Sequence, residues 1–315
     1  MPKAKKQRVP QGKQRAKTAR RSRVIPWTAS QLGRNVFRVS VPFQQGASWE
    51  QWALITSDIH WDNPHCNRKL LKQHLDQALE REAIIFSNGD MLDLMGGRYD
   101  PRAVKSGIRS EHNVPHYFDA VVEDAAEWFT PYAQNFFVLA QGNHETAMTN
   151  RHEFNPIERL VTLLNSKTRS RIYNGGYSGW LEFAFQTLAE GGRGRTSTVV
   201  ANYHHGSSSG KTTSNILSHE KRAAFLPDTD VLITGHAHNF WCEFVGRQRF
   251  GRGGTVYQDT QTHLGCPGYK DDTGDGSSGW ANEKGFKPKT LGAWWLRFYW
   301  SRERSSVLFE VIRAQ

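Results

Sequence analysis

The chain has 315 residues, 37% hydrophobic and 23% charged, which fits one large or two modest globular domains and excludes a low-complexity chain. No run approaches the ~20 apolar residues of a membrane span, and the basic N-terminus lacks the apolar stretch of a secretory signal. The formal charge of +11 is concentrated: residues 1–24 hold ten Lys or Arg and no acid, leaving 31 basic and 30 acidic residues elsewhere.

Residues 1–24 read as a disordered basic arm. Such an arm binds phosphate backbones by counterion release, so DNA or RNA is the expected partner; the plainer reading is a solubilising tail. Cys66, Cys242 and Cys266 are odd in number and form no CxxC pair, which argues against a disulfide framework and for a reducing, cytoplasmic setting. Residues 25–315 read as a single domain without a membrane segment.

From about residue 50, strand-like and helix-like segments alternate. Trp52–Thr56 is a short apolar run, and Asn67–Glu82 follows with Leu70, Leu71, Leu75 and Leu79 at helical spacing. Ala83–Ser87 is the next run. His116–Phe129 is helix-like, Asn135–Leu139 strand-like, and Asn155-Pro156 opens a helix with an Asn cap and Pro at its first position. Trp180–Phe185 and Thr198–Tyr203 alternate apolar and polar residues around a Gly191–Gly194 turn. Asp230–Ile233 is a further run, residues 251–290 read as a Gly-rich loop region, and residues 293–313 close the chain as a β-hairpin. This pattern predicts an α/β domain with mixed strand pairing.

Five of these runs end in potential metal ligands. Trp52–Thr56 leads to Asp58 and His60; Ala83–Ser87 to Asp90 and Asp93; Asn135–Leu139 to Asn143, His144 and Glu145. The run before His204 and His205 and the run before His236 and His238 complete the set. Ligands of open α/β sheets bind beyond the carboxyl ends of the strands, so five such clusters can meet at one place. Carboxylate, amide and imidazole donors without thiolate suit divalent manganese, iron or zinc. Seven ligands exceed one four-coordinate catalytic site, so two ions are expected, with Asp90, which follows Gly89, as the bridge. Successive strand residues face opposite ways, so only one of His204 and His205 should reach the ions.

The motifs DIH (58–60), GDMLD (89–93), GNHE (142–145), HHG (204–206) and GHAH (235–238) resemble, in order, the calcineurin-like metallophosphoesterase pattern. The resemblance covers about residues 50–245 and implies two mixed β-sheets packed as a sandwich and flanked by helices. It implies that Asp58, His60, Asp90 and His238 hold one ion. Asp90, Asn143, His204 or His205, and His236 would hold the other; the family's HG members favour His205. It further implies that His144 meets the scissile phosphate, and that a water activated by the ions attacks phosphorus in line. Manganese is the favoured metal.

Other residues have plainer readings. Asp93 is expected to cap a helix or brace a histidine, and Glu145 to cap a helix or brace a ligand, rather than to bind metal. Residues 206–212 (GSSSGKT) lack the first glycine of a phosphate loop and read as a flexible loop, in which Lys211 can reach a phosphate. Arg98, Lys105 and Arg109 are phosphate-gripping candidates or a solvated face. His112 and His116 read as structural or surface residues. Trp280, Trp294, Trp295 and Trp300 could stack bases, but a sheet core accounts for most of them.

Phosphate-ester hydrolysis is therefore the expected activity. The sequence SDIHWD (57–62) resembles the phosphodiesterase and nuclease branches of the family and, more loosely, phosphoesterases often carried by bacteriophages. With the basic arm, it points to nucleic acid as substrate. A small-molecule phosphodiesterase or phosphomonoesterase, acting on a nucleotide or a phosphoprotein, is the alternative. A non-catalytic nucleic-acid-binding protein is the third reading.

Overall fold

The computed structural model describes residues 25–46, 48–95, 107–188, 195–207, 212–251, 253–274, 285 and 287–315, without the side chains of 212–215. The basic arm, Arg98, Lys105, the turn at 191–194, Lys211 and Trp280 lie outside these residues.

Among the described residues, thirteen strands form two mixed sheets. The seven-stranded sheet contains β1 (Thr28–Gly33), β2 (Val36–Phe43), β7 (Ser178–Thr187), β8 (Thr196–His204), β9 (Val231–Thr234), β10 (Trp241–Gly251) and β11 (Thr255–Gly265), in the order β1-β2-β7-β8-β9-β11-β10. The six-stranded sheet has the order β13-β12-β3-β4-β5-β6. Its strands are β3 (Glu50–Thr56), β4 (Ile84–Ser87), β5 (Phe136–Leu139), β6 (Tyr173–Asn174), β12 (Trp294–Ser301) and β13 (Ser306–Arg313). The helices are α1 (Arg68–Glu80), α2 (Tyr117–Phe129), α3 (Asn143–His152), α4 (Pro156–Thr168) and α5 (Thr212–Ala223).

Alternation along the central strands sorts side chains into two cores. Ala53, Ile55, Ile84 and Phe86 pack between the sheets with Phe37, Phe183 and Phe298. Leu54 and Ile85 face the other way, against Leu71 and Leu75 of α1, Val122 of α2 and Leu160 of α4. The architecture is thus a sandwich of two mixed sheets flanked by helices. Asn67 caps α1 by accepting from Leu70 N, and Asn155 caps α4 by accepting from Glu158 N. Trp294 and Trp295 are buried in the cores, which accounts for them without base stacking.

The expected loop at 251–290 is corrected in part. β11 runs through Thr255–Gly265 and pairs with β10 over its whole length. The two strands are rich in Gln, Thr, Arg and Gly, so they lack the apolar alternation that marks a half-buried strand. β1 and β2 also extend the fold ahead of residue 50.

Candidate metal centre

Strands β3, β4 and β5 run parallel in one sheet, and β8 and β9 run parallel in the other. Their carboxyl ends meet at one rim of the sandwich. The loops leaving them are joined by backbone hydrogen bonds: Asp58 N donates to Gly89 O (3.0 Å), His60 N to Asp90 O (2.9 Å) and Gly235 N to His205 O (2.8 Å). His236 N donates to both carboxylate oxygens of Asp58 at 3.0 Å, which ties the two sheets together at this point.

The backbone turns sharply here. Asp58, His60, Asp90, His236 and His238 all have positive φ, between 47° and 65°. Asp and His tolerate this left-handed region better than most residues, yet each instance costs of the order of 1–3 kcal/mol. Glycines let the loops close. A Cβ on Gly235 would collide with Ser57 Oγ and Asp58 Oδ2, and one on Gly268 would sit 2.8 Å from Asp58 O.

Two sets of donor atoms converge. In the first, His238 Nε2 lies 3.2 Å from Asp58 Oδ1 and 3.3 Å from His60 Nε2, which is 3.9 Å from Asp90 Oδ2. In the second, His205 Nε2 lies 3.2 Å from Asp90 Oδ2 and 3.2 Å from Asn143 Oδ1, which is 2.7 Å from His236 Nδ1. Ligands 2.0–2.2 Å from a tetrahedral ion are roughly 3.3–3.6 Å apart, close to most of these separations. Asp90 Oδ2 belongs to both sets. Asp58, His60, Asp90 and His205 are buried, and His236 and His238 are partly open to the rim.

The charges fit cations. Among the described residues, Asp58 and Asp90 form ion pairs only with histidines. Buried carboxylates require a counter-charge or a metal. Burial opposes ionisation of Asp58, but His238 and His205 outweigh it and hold the carboxyl down at about 2. Burial likewise disfavours charge on Asp90, and His205 and His144 keep it well below the usual carboxylate range. Burial alone would lower His205; Asp90 and Asp58 raise it to about 10. Its Nδ1 donates to Asn88 O at 2.8 Å, so the proton on Nε2 occupies the space a cation would take. The donor set and its electrostatics therefore fit two divalent ions.

The structure brings Asp58, His60, Asp90, Asn143, His205, His236 and His238 together. His204 does not join them: it ends β8 with its Nδ1 accepting from Gly206 N at 2.9 Å, and burial lowers it to about 4. Strand alternation accounts for this: with His205 turned to the donors, its neighbour His204 faces away.

Residues around the donors hold them in place. Asp93 Oδ1 lies 2.8 Å from His60 Nδ1, and Asp93 Oδ2 accepts from Asn63 at 2.7 Å. Glu145 accepts from the backbone N–H groups of Gly142 (2.8 Å), Leu92 (3.0 Å) and Asp90 (3.1 Å), fastening α3 to the loop after β4. Burial and neighbouring Asp90 raise its carboxyl to about 7. His144 Nδ1 lies 2.6 Å from Asp93 O, and its Nε2 lies 4.0 Å from Asp90 Oδ2 at the accessible rim. Lys270, 3.5 Å from Asp93 Oδ1, and Lys289, which donates to Ala237 O at 2.9 Å, bring positive charge to the same rim. Neither sits in a recognisable motif; a lysine in the Gly-rich stretch gives no local signal. Arg109 donates to Asn63 O, buried His112 meets Asp124, and His116 is exposed ahead of α2.

Several solved structures align with this chain at low identity and low TM-score. Vacuolar protein sorting 29 from Cryptosporidium parvum is 10% identical and aligns over 85% of this chain and 100% of its own, with a TM-score of 0.34. A predicted phosphoesterase from Streptococcus pneumoniae is also 10% identical, over 85% and 100%, at 0.32. Vps29 from Entamoeba histolytica, complexed with zinc, is 10% identical over 84% and 99%, at 0.32. No curated protein matches the chain. The family model described as calcineurin-like phosphoesterase matches residues 52–284, a span that contains every residue of both donor sets. The chain belongs to the calcineurin-like phosphoesterase family.

Proposed function

We propose that this protein hydrolyses phosphodiesters of nucleic acid with two divalent transition-metal ions, manganese being the favoured metal. The observation that carries the reading is the position of Asp90 Oδ2 in both donor sets. Asp58, His60, Asp90 and His238 would hold one ion; Asp90, Asn143, His205 and His236 the other. Bound there, paired ions would lower the pKa of water and stabilise the attacking and leaving oxygens of an in-line displacement.

The chain supplies the remaining parts. Asp93 O fixes His144 through Nδ1, leaving Nε2 at the rim to protonate a leaving oxygen. The first turn of α3 directs His144 N at Asp90 Oδ1, at 3.0 Å, so the positive end of that helix supports the bridging carboxylate. Lys270 and Lys289 add positive charge that favours a phosphate. The basic arm, residues 1–24, would follow the substrate backbone and raise its local concentration.

A substrate panel with manganese tests this. DNA or RNA and bis-(p-nitrophenyl) phosphate should be cleaved faster than p-nitrophenyl phosphate. Removing residues 1–24 should raise KM and salt sensitivity for nucleic acid alone. Preference for the monoester, or indifference of nucleic-acid cleavage to the arm, would instead favour a small-molecule substrate.

A further inference from the structure

Of β11, only Thr262–Gly265 lie beside β9. Beyond it, Thr255–Gln261 and their partners Val245–Gly251 continue as a two-stranded ribbon. Such a ribbon is marginal in water unless a face or an edge is covered. One face is covered within the chain: Arg247 donates to Pro227 O and Thr229 O and is paired with Asp259, and Gln261 donates to Leu226 O. The other face carries Phe244, Gln248 and Phe250 on β10 and Val256, Gln258 and Thr260 on β11, none of them charged. Phe244 is 65% exposed, Phe250 79% and Val256 62%. β10 is also the outermost strand of its sheet among the described residues.

We infer that this face and edge bind a second copy of the chain, β10 pairing antiparallel with β10 of the partner about a two-fold axis at Arg247.

That register is self-complementary. Each Phe244 falls opposite Phe250 of the other copy, and each Phe250 opposite Phe244, giving two aromatic cross-strand pairs on the uncharged face. Gly246 falls opposite Gln248, where its missing side chain leaves room. On the reverse face the two Arg247 side chains meet, but each is neutralised in its own chain by Asp259 at 2.8 and 3.0 Å. Arg249 is likewise 3.5 Å from Asp259 and 3.7 Å from Asp228. In this register Glu243–Gly251 pair across the axis, nine residues and about 31 Å of edge. With four phenylalanine rings, closing it covers on the order of 1,000 Å², the lower bound for a specific interface. A nucleic-acid strand fits this face less well, because none of its described residues is a cation that faces a phosphate.

Sedimentation velocity of the full chain tests the pairing. The wild type should be a dimer at micromolar concentration. Phe244→Glu and Phe250→Lys should each weaken self-association at least about thirtyfold with an unchanged circular dichroism spectrum. An equimolar mixture of the two variants should recover a dimer, since Phe244→Glu of one copy then faces Phe250→Lys of the other. A monomeric wild type at 50 µM concentration overturns the inference, as does a dimer that both substitutions leave intact. So does a mixture that stays monomeric while each variant is folded. Loss of single-stranded DNA affinity in the variants, with self-association unchanged, would assign the face to nucleic acid and overturn it too.

Discussion

His60 Nδ1 lies 2.8 Å from Asp93 Oδ1, and the opposite ring nitrogen therefore faces His238 and Asp90. The carboxylate sets the tautomer and the plane of a donor it does not itself replace. Asp93→Asn should lower divalent-metal affinity at one of the two sites by about 10–100-fold while the second site keeps its affinity. Calorimetric titration of manganese into the chelated protein reads this directly; equal affinity at both sites in the variant would separate Asp93 from the centre.

His204 and His205 should behave as opposites. His205→Ala removes a nitrogen 3.2 Å from both Asp90 and Asn143, and should lose one ion and at least about a hundredfold in hydrolysis. His204→Ala removes one hydrogen bond from Gly206 N, worth about 1 kcal/mol. It should keep both ions and stay within about threefold of wild-type turnover. Metal analysis and kinetics on the two variants decide, and an exchange of phenotypes would reverse the assignment.

Gly235→Ala tests how tightly the loops are packed. Its Cβ meets Ser57 Oγ and Asp58 Oδ2, so Asp58 must move. Overpacking of this kind costs about 1–3 kcal/mol. Metal content should fall while the far-UV spectrum stays native; a variant with full metal content would show that the loop yields without moving Asp58.

Acid should destabilise the fold through buried histidines. Burial lowers His74 and His263 to about 4 and His219 to about 3. Their folded values lie below the ordinary one near 6.5, so the unfolded chain binds more protons between these limits. Stability is thus complete above about pH 6.5 and falls as pH drops towards 4. At 2–4 °C per kcal/mol, Tm should fall by at least about 5 °C between pH 7 and 5. His263→Gln should flatten that slope; a slope unchanged in the variant would remove His263 from the cause.

The donors were legible because each follows a short apolar run, and parallel strands deliver their carboxyl ends to one rim. Strand alternation also reduced His204 and His205 to one inward ring, though residue type could not choose between adjacent histidines. The pair β10 and β11 was not legible, since a ribbon with little burial has no reason to alternate apolar and polar residues. Strand β2, near the other end of that sheet, was missed differently: Phe37, Val39, Val41 and Phe43 are buried in alternation, a period-two signal present ahead of the first motif. Gly268, Lys270 and Lys289 reach the rim by tertiary packing alone, which no local pattern encodes.

Metal stoichiometry of the wild type and of Asp90→Asn is the sharpest test of a centre of two ions bridged by Asp90. The wild type should hold close to two transition-metal ions per chain, Asp90→Asn should lose at least one, and hydrolysis should be abolished in that variant and after exhaustive chelation. Two ions and full hydrolysis in Asp90→Asn, or undiminished hydrolysis in the chelated wild type, would contradict it.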